Sequence, residues 1–554
     1  MSNKLACVLL LCVSLSANQP VHARHAMVVV QEPLAADVGL RVLKSGGNAI
    51  DAAVAVAFAL SVTYPFAGNI GGGGFMLIRL ADGRSTFIDF REKAPLAATR
   101  NMYLDSNGNV TQDSLVGWRA SGVPGTVRGM ELAHRKYGRL PWAKLLDPAV
   151  ELARDGYPVS YSLDASLHGS SEKLLAQFPE SKRIFLSARY GDKLIQPELA
   201  ATLERIRDRG AADFYDGETA QKLAAAMASH GGLITLADLK SYQAEEQKPL
   251  RGHYRGYEII SAPPPSAGGI GLLQMLGMLE GSGYEKAGAG SAASIHYVAE
   301  VMRRFYADRS QYLGDPDFYK VPITKLLDPK YIASRRASID RNHATPSSEI
   351  RPGDLNFHES TETTHFNIVD AEGNAVAVTY TLNNGYGSGV TVPGLGFLLN
   401  DEMDDFAAKP GTENLFHLIQ GESNAIQPGK RPVSSMTPTI VTRDGKLFLM
   451  LGAPGGSRII NGVLQVLLNV VDFHMNVQDA VDWPRFHHQW MPDVLYVEKG
   501  ISPDTIALLR AMGHKVSPLE GSSPVVARVE AILNDDGWLQ GASDPRGKGK
   551  AEGY

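Results

Sequence analysis

The 554-residue chain predicts an α+β fold built in more than one layer. Three observations carry this. The chain is too long for one ordinary core, so two or more intertwined layers are expected. Two stretches, Phe75–Phe90 and Thr363–Asn383, alternate β-branched, aromatic and polar residues around Gly-containing turns, the pattern of β-hairpins. From Gly122 to about Lys320 the pattern is mainly helical. Apolar residues at 44% and charged residues at 20% are ordinary for a globular protein. A formal charge of -5 gives no sign of nucleic-acid binding.

In chain order, Met1–Ala23 has the parts of a secretory leader. Lys4 supplies the positive start, Leu5–Leu15 the apolar core and Val21-His22-Ala23 a small-x-small cleavage site. The apolar run is too short to span a bilayer. A lipoprotein leader ending at Cys12 is the alternative, although Leu11 stands where a small residue is expected. Both cysteines, Cys7 and Cys12, fall inside the leader. The mature chain then has no disulfide, no thiol nucleophile and no cysteine metal site.

Gly46–Asp51 and the Ala- and Val-rich run to Val62 predict a buried core helix rather than a membrane span. Gly71-Gly72-Gly73-Gly74 lacks the Gly-Lys-Ser/Thr of a phosphate loop, so it predicts close backbone packing. The strand Phe75–Arg79, the turn Asp82-Gly83 and the strand Ser85–Phe90 end in Asp89-Phe90-Arg91-Glu92. Taken alone, Arg91 reads as a solvated strand-end charge. Helices are expected up to Tyr137 and over Leu145–Asp155, Pro197–Arg209, Thr219–Ser229 and Ala292–Tyr312, covering the outside of the sheets, with another beginning near Gly269. Asn342–Ser360 is polar and Pro-containing and reads as an exposed loop.

The second hairpin shapes the rest. With Ala371–Gly373 as its loop, Asp370 faces Asn374, Val369 faces Ala375, Asn367 faces Ala377, His365 faces Thr379 and Thr363 faces Thr381. These share one face, and alternation extends it to Asn383. Phe366, Ile368, Val376, Val378 and Tyr380 form the opposite, apolar face. On the pattern alone this is either one wall of a site or a sheet strand that happens to carry threonines.

Thr363-Thr364-His365 followed by this hairpin resembles the start of the small subunit of the γ-glutamyltransferases, a family of N-terminal-nucleophile hydrolases. The resemblance extends from about Gly46 to Tyr554 through separated motifs in the family's order. It implies a four-layer αββα sandwich and self-cleavage at Glu362–Thr363. The chain would then comprise a leader, residues 1–23, a large subunit, residues 24–362, and a small catalytic subunit, residues 363–554, sharing one core. The chemistry accounts for the cut. A threonine hydroxyl is a weak nucleophile without a neighbouring base. A free α-amine, with a reference pKa near 8, supplies that base on the same residue.

The resemblance also implies roles. Arg91 grips the substrate α-carboxylate, a task suited to an arginine fork. In Leu398–Phe406, Asp405 binds the α-amino group with Glu402 as a second contact, where some members carry glutamine. Without the resemblance this acid cluster is a solvated face. Ser434 and Ser435, otherwise turn-capping serines, join Arg91 on the carboxylate. Gly455 and Gly456, before a helix expected from Ile459, form the oxyanion hole. Thr381 bonds at Thr363, and Asn383 lines the same pocket. Lys409–Pro432 resembles a lid, with Phe416 where many members carry tyrosine. Gly541–Arg546 matches the family's C-terminal segment.

The implied substrates are glutathione and other γ-glutamyl compounds, the acceptors water, amino acids or peptides, and the location periplasmic or secreted. No cofactor, metal, nucleic acid or membrane anchor is called for. His487-His488 invites a metal reading, but adjacent strand residues point to opposite faces and no His-Glu-x-x-His accompanies them. Two rivals remain: a glutaryl β-lactam (cephalosporin) acylase of the same fold, and a secreted binding protein without activity.

Overall fold

The computed structural model describes residues 18–351, 363–409, 421–520 and 524–554. The hairpin lies in the interior. Thr364–Val369 pairs antiparallel with Ala375–Thr381, and His365 faces Thr379, Asn367 faces Ala377 and Val369 faces Ala375. Gly373 takes φ 90°, the left-handed conformation a side chain resists, and its amide donates to the Asp370 carbonyl at 3.1 Å. Met27–Val30 and Gly73–Arg79 flank the pair, giving the middle of a seven-stranded sheet. Ser85–Phe90 and Glu245–Gln247 extend one side, and Lys550–Gly553 closes the other.

Alternation sorts this sheet's two faces. Phe366, Ile368, Val376, Val378 and Tyr380 pack outward among residues of the helices Pro33–Lys44, Ala49–Thr63 and Thr126–Tyr137. Val369, Ala375 and Ala377 face the opposite way, into a core shared with Ile440, Leu449 and Ile532 of a second seven-stranded sheet. Behind that sheet lie Gly268–Leu279, Ala292–Tyr312 and Arg458–Val471. The result is the expected four-layer αββα sandwich, in which the first sheet is buried on both faces. Each fully buried aliphatic side chain contributes roughly 1.5–3 kcal/mol.

Ala49–Thr63 is buried along its whole length, as its composition predicts, and Asn48 and Asp51 form a capping box at its start. No helix among the described residues is long and apolar enough to cross a membrane. The glycine run packs as expected. A Cβ on Gly71 would stand 2.1 Å from the Leu398 carbonyl oxygen, and one on Gly72 2.1 Å from that of Thr381.

At four places the structure departs from or adds to these expectations. The region after Gly122 is not wholly helical: Glu245–Gln247, Leu250–Tyr254 and Tyr257–Ser261 are strands, the last two joined through Arg255 and Gly256, both at positive φ. That turn lacks the Asn-Gly or Asp-Gly signature that makes a hairpin legible. The strand from Ala375 ends at Thr381, and Asn383, at φ 82°, has left the extended conformation on which its placement by alternation relied. Ala344–Ile350 is not a free loop, since Thr345 and Ser347 are tied into a buried ionic cluster. Finally, Val21–Ala23 pairs with Trp538–Ala542 at the edge of the second sheet, so a cut after Ala23 would remove that strand.

Candidate active site

Strand registers gather the predicted residues at one end of both sheets. Thr381 lies opposite Gly73, Gly74 opposite Phe90, and Thr364 opposite Tyr380, which brings Thr363, Thr381 and Arg91 to the same end of the first sheet. On the second sheet, Gly452 ends the strand that leads to Gly455, and Ser434–Thr437 precedes Thr439–Arg443. His365 aligns the sheets: a Cβ on Gly452 would stand 2.1 Å from its ring, so the imidazole lies directly on the Gly452 backbone.

Thr363 is buried. The Thr381 hydroxyl accepts from the Asn383 amide at 2.8 Å, and the Asn383 side chain donates to the Asp401 carbonyl at 3.0 Å. Asn383 therefore braces the loop carrying the acids. His365 shares a hydrogen bond of 2.8 Å with the Thr379 hydroxyl, and burial pushes its pKa down to about 3. It is neutral at physiological pH and acts as a spacer, not a cation.

Arg91 is buried rather than solvated. Its guanidinium bonds both Glu402 and Asp405 and donates to the Val433 carbonyl at 3.2 Å. The acids reach it because Asn400 pins their loop. The Asn400 side chain donates to the carbonyls of Gly71 and Gly122 at 2.8 Å each and accepts from the Gly122 amide at 2.9 Å and the Glu402 amide at 3.0 Å. Val433, next to Ser434, ties the serine turn to the same cluster. Ser434 and Ser435 are buried; the Ser434 oxygen accepts from the Met436 amide at 3.1 Å, and the Ser435 oxygen from Arg309 at 3.2 Å.

Sequence reasoning missed other members. Glu92 stands 3.6 Å from the Arg91 guanidinium, and burial, partly offset by that cation, lifts its carboxyl to about 7. Glu402 is raised well above the usual range, again by burial against the pull of Arg91. Asp404 is lifted to about 7 by burial, with a Ser114 bond of 2.7 Å pulling the other way. Glu92, Glu402 and Asp405 thus crowd Arg91, and the closeness of Glu92 and Glu402 around one cation favours a shared proton between them. The only signal for Glu92 was adjacency to Arg91, and a charged residue beside a charged residue usually marks a surface.

Gly455 and Gly456 take φ 140° and 56°, and the helix Arg458–Val471 follows. A side chain at either position would be strained, and one at Gly455 would also press on the Val526 carbonyl oxygen at 3.1 Å. Two successive amides before a helix are a suitable place for an oxyanion.

Glu362, and residues 410–420 of the expected lid with Phe416 among them, lie outside the described residues. His487 and His488 diverge as alternation predicted. His487 meets Asn461 at 2.7 Å and Gln489 at 2.8 Å, while His488 accepts from Arg303 at 2.9 Å. A different trio, His296, Glu300 and His514, lies close enough to suggest a metal. Both Glu300 oxygens, however, already accept from arginines, at 2.7 Å from Arg303 and 2.7 Å from Arg304.

Comparison with known proteins gives a consistent result. The family profile described as gamma-glutamyltranspeptidase matches residues 35–554. The chain is 51% identical over 534 residues to the glutathione hydrolase proenzyme of Escherichia coli strain K12, covering 95% of this chain and 91% of that protein. Among solved structures, cephalosporin acylase from Bacillus halodurans superposes with a TM-score of 0.87 at 28% identity, covering 97% of each chain. A Helicobacter pylori gamma-glutamyltranspeptidase chain is 47% identical with a TM-score of 0.57, covering 58% of this chain and 93% of that one.

Proposed function

The chain belongs to the gamma-glutamyltranspeptidase family, and from that premise we propose that it is a self-cleaving γ-glutamyl transferase and hydrolase acting on glutathione and related γ-glutamyl amides. The observation that carries the reading is the buried cluster in which Arg91 meets Glu402 and Asp405. A glutamate's α-carboxylate and α-ammonium are a matched pair for it. The carboxylate takes the guanidinium, helped by Ser434 and Ser435, and the ammonium takes the released acids.

The steps follow from residue chemistry. In the precursor, the Thr363 hydroxyl attacks the Glu362 carbonyl, the peptide nitrogen leaves as the Thr363 α-amine, and water hydrolyses the resulting ester. In the cut enzyme, that amine takes the hydroxyl proton as Thr363 attacks the substrate γ-carbonyl. Gly455 and Gly456 amides hold the oxyanion, and Thr381 orients Thr363. The leaving amine receives the proton, and water or an amino acid or peptide amine then takes the γ-glutamyl group. Asp405 contacts the substrate ammonium with Glu402. Asn383 keeps this loop at the end of the sheet. The processed protein is a pairing of two pieces from one chain, exported to the periplasm or beyond by its leader.

The rival acylase reading has the full-length structural likeness in its favour. A glutaryl chain carries the same terminal carboxylate but no amine, so it leaves Asp405 without a task. Mass spectrometry of purified protein is expected to show two pieces, one beginning at Thr363, and Thr363→Ala a single chain. γ-Glutamyl anilide is expected to be cleaved far faster than glutaryl anilide. Full γ-glutamyl turnover by an uncut chain, or the reverse anilide preference, overturns the proposal.

A further inference from the structure

The helix Ala292–Tyr312 lies upstream of the expected cut, yet two of its side chains reach loops downstream of it. The Tyr306 hydroxyl donates to the Ser457 carbonyl, just after the glycine pair. Three residues on, the Arg309 guanidinium, itself buried, donates to the Ser435 hydroxyl oxygen at 3.2 Å. Spacing of three places both side chains on one helix face.

We propose that Arg309 is a positioning residue for substrate binding, acting through Ser435. An N–H donated into a hydroxyl oxygen occupies lone-pair density there and leaves the hydroxyl's own proton to be offered outward. Because the donor is a cation, it polarises the O–H and strengthens it as a donor. Ser434 has an equivalent arrangement from a neutral donor, the Met436 amide. Both serines are thereby set to donate, the polarity an anionic carboxylate needs, and Ser435 is the stronger of the two. Arg309 also brings positive charge to the serine turn, next to which the Val433 carbonyl accepts from Arg91.

The inference rests on the carboxylate-binding part of the proposed function. The test is a double-mutant cycle of Arg309→Met and Ser435→Ala, read as KM and kcat on γ-glutamyl anilide. Arg309→Met is expected to raise KM about tenfold, the loss of one hydrogen bond to a charged group, with kcat within about twofold. The double variant is expected to match Ser435→Ala within about twofold, because the two residues act in series. Arg309→Lys keeps the charge without the fork and should give an intermediate KM. An unchanged KM in Arg309→Met, or effects that multiply in the double variant, overturns the inference. So does failure of both Arg309 variants to be cut, which assigns Arg309 to folding or processing. Should the native protein cleave only glutaryl anilide, the proposed function fails, and the same cycle on that substrate still decides the role of Arg309, since both substrates end in the same carboxylate.

Discussion

Of the buried, arginine-centred clusters among the described residues, those around Glu300 and Arg91 differ in how their charges close. Around Glu300 everything is matched. One Glu300 oxygen accepts from Arg303 at 2.7 Å and the Thr345 amide at 3.1 Å, and the other from Arg304 at 2.7 Å and the Thr345 hydroxyl at 2.6 Å. Asp493 takes Ser347 at 2.8 Å and stands 3.2 Å from Arg303, which with His488 and Ser347 holds its carboxyl well below the usual range against burial. Its histidines are kept neutral by burial, which pushes His488 down to about 4 and His514 down to about 2. Two cations meet two anions, and Ala344–Ile350 is fastened by them.

Around Arg91 nothing balances. One cation faces Glu92, Glu402 and Asp405, and both Glu92 carboxyl oxygens and one of Glu402 have no hydrogen-bond partner among the described residues. A structural cluster satisfies itself, whereas a recognition cluster carries chemistry that only another molecule completes. The contrast separates the two more cleanly than burial or arginine content does.

The comparison can be broken at several points. The largest expected effect is on Arg91→Met, where loss of the cation that meets Glu402 and Asp405 should lower kcat/KM on γ-glutamyl anilide by on the order of 10³-fold; activity within tenfold of native would remove Arg91 from substrate binding. Glu300→Ala leaves buried Arg304 without its carboxylate and Arg303 with Asp493 alone, and should cost about 3–5 kcal/mol of stability, read by urea denaturation, with the KM of the folded protein unchanged. A raised KM would show that the two clusters are not separate in function.

Next, a non-hydrolysable glutamate analogue at a hundredfold over its Kd should stabilise the native protein by about 2.7 kcal/mol. It should do nothing for Arg91→Met. Last comes pH. Asp404 is raised from the ordinary carboxylate range to about 7, so the folded chain holds a proton there that the unfolded chain has lost. The resulting stability is full below about pH 4 and declines as pH rises to about 7. Asp404→Asn should flatten that decline, compared as Tm at pH 5 and pH 7.5; an identical decline in the variant would assign it to other carboxyls.

The sequence by itself determined the hairpin, its register and its two faces, because β-branched and aromatic residues alternate with period two around one glycine turn. Pro197–Arg209 and Ala292–Tyr312 were likewise legible to the residue, since local periodicity and caps set helices. Only the tertiary structure decided that Asn383 turns away from its strand, that Arg255-Gly256 closes a hairpin, and that Ala344–Ile350 is anchored. It also decided which side chain each arginine meets: Arg91 lies 311 residues from Glu402 and Arg309 lies 126 from Ser435. No local pattern records such pairings. They arise when two sheets stack and one imidazole, lying on a glycine, fixes how their ends align.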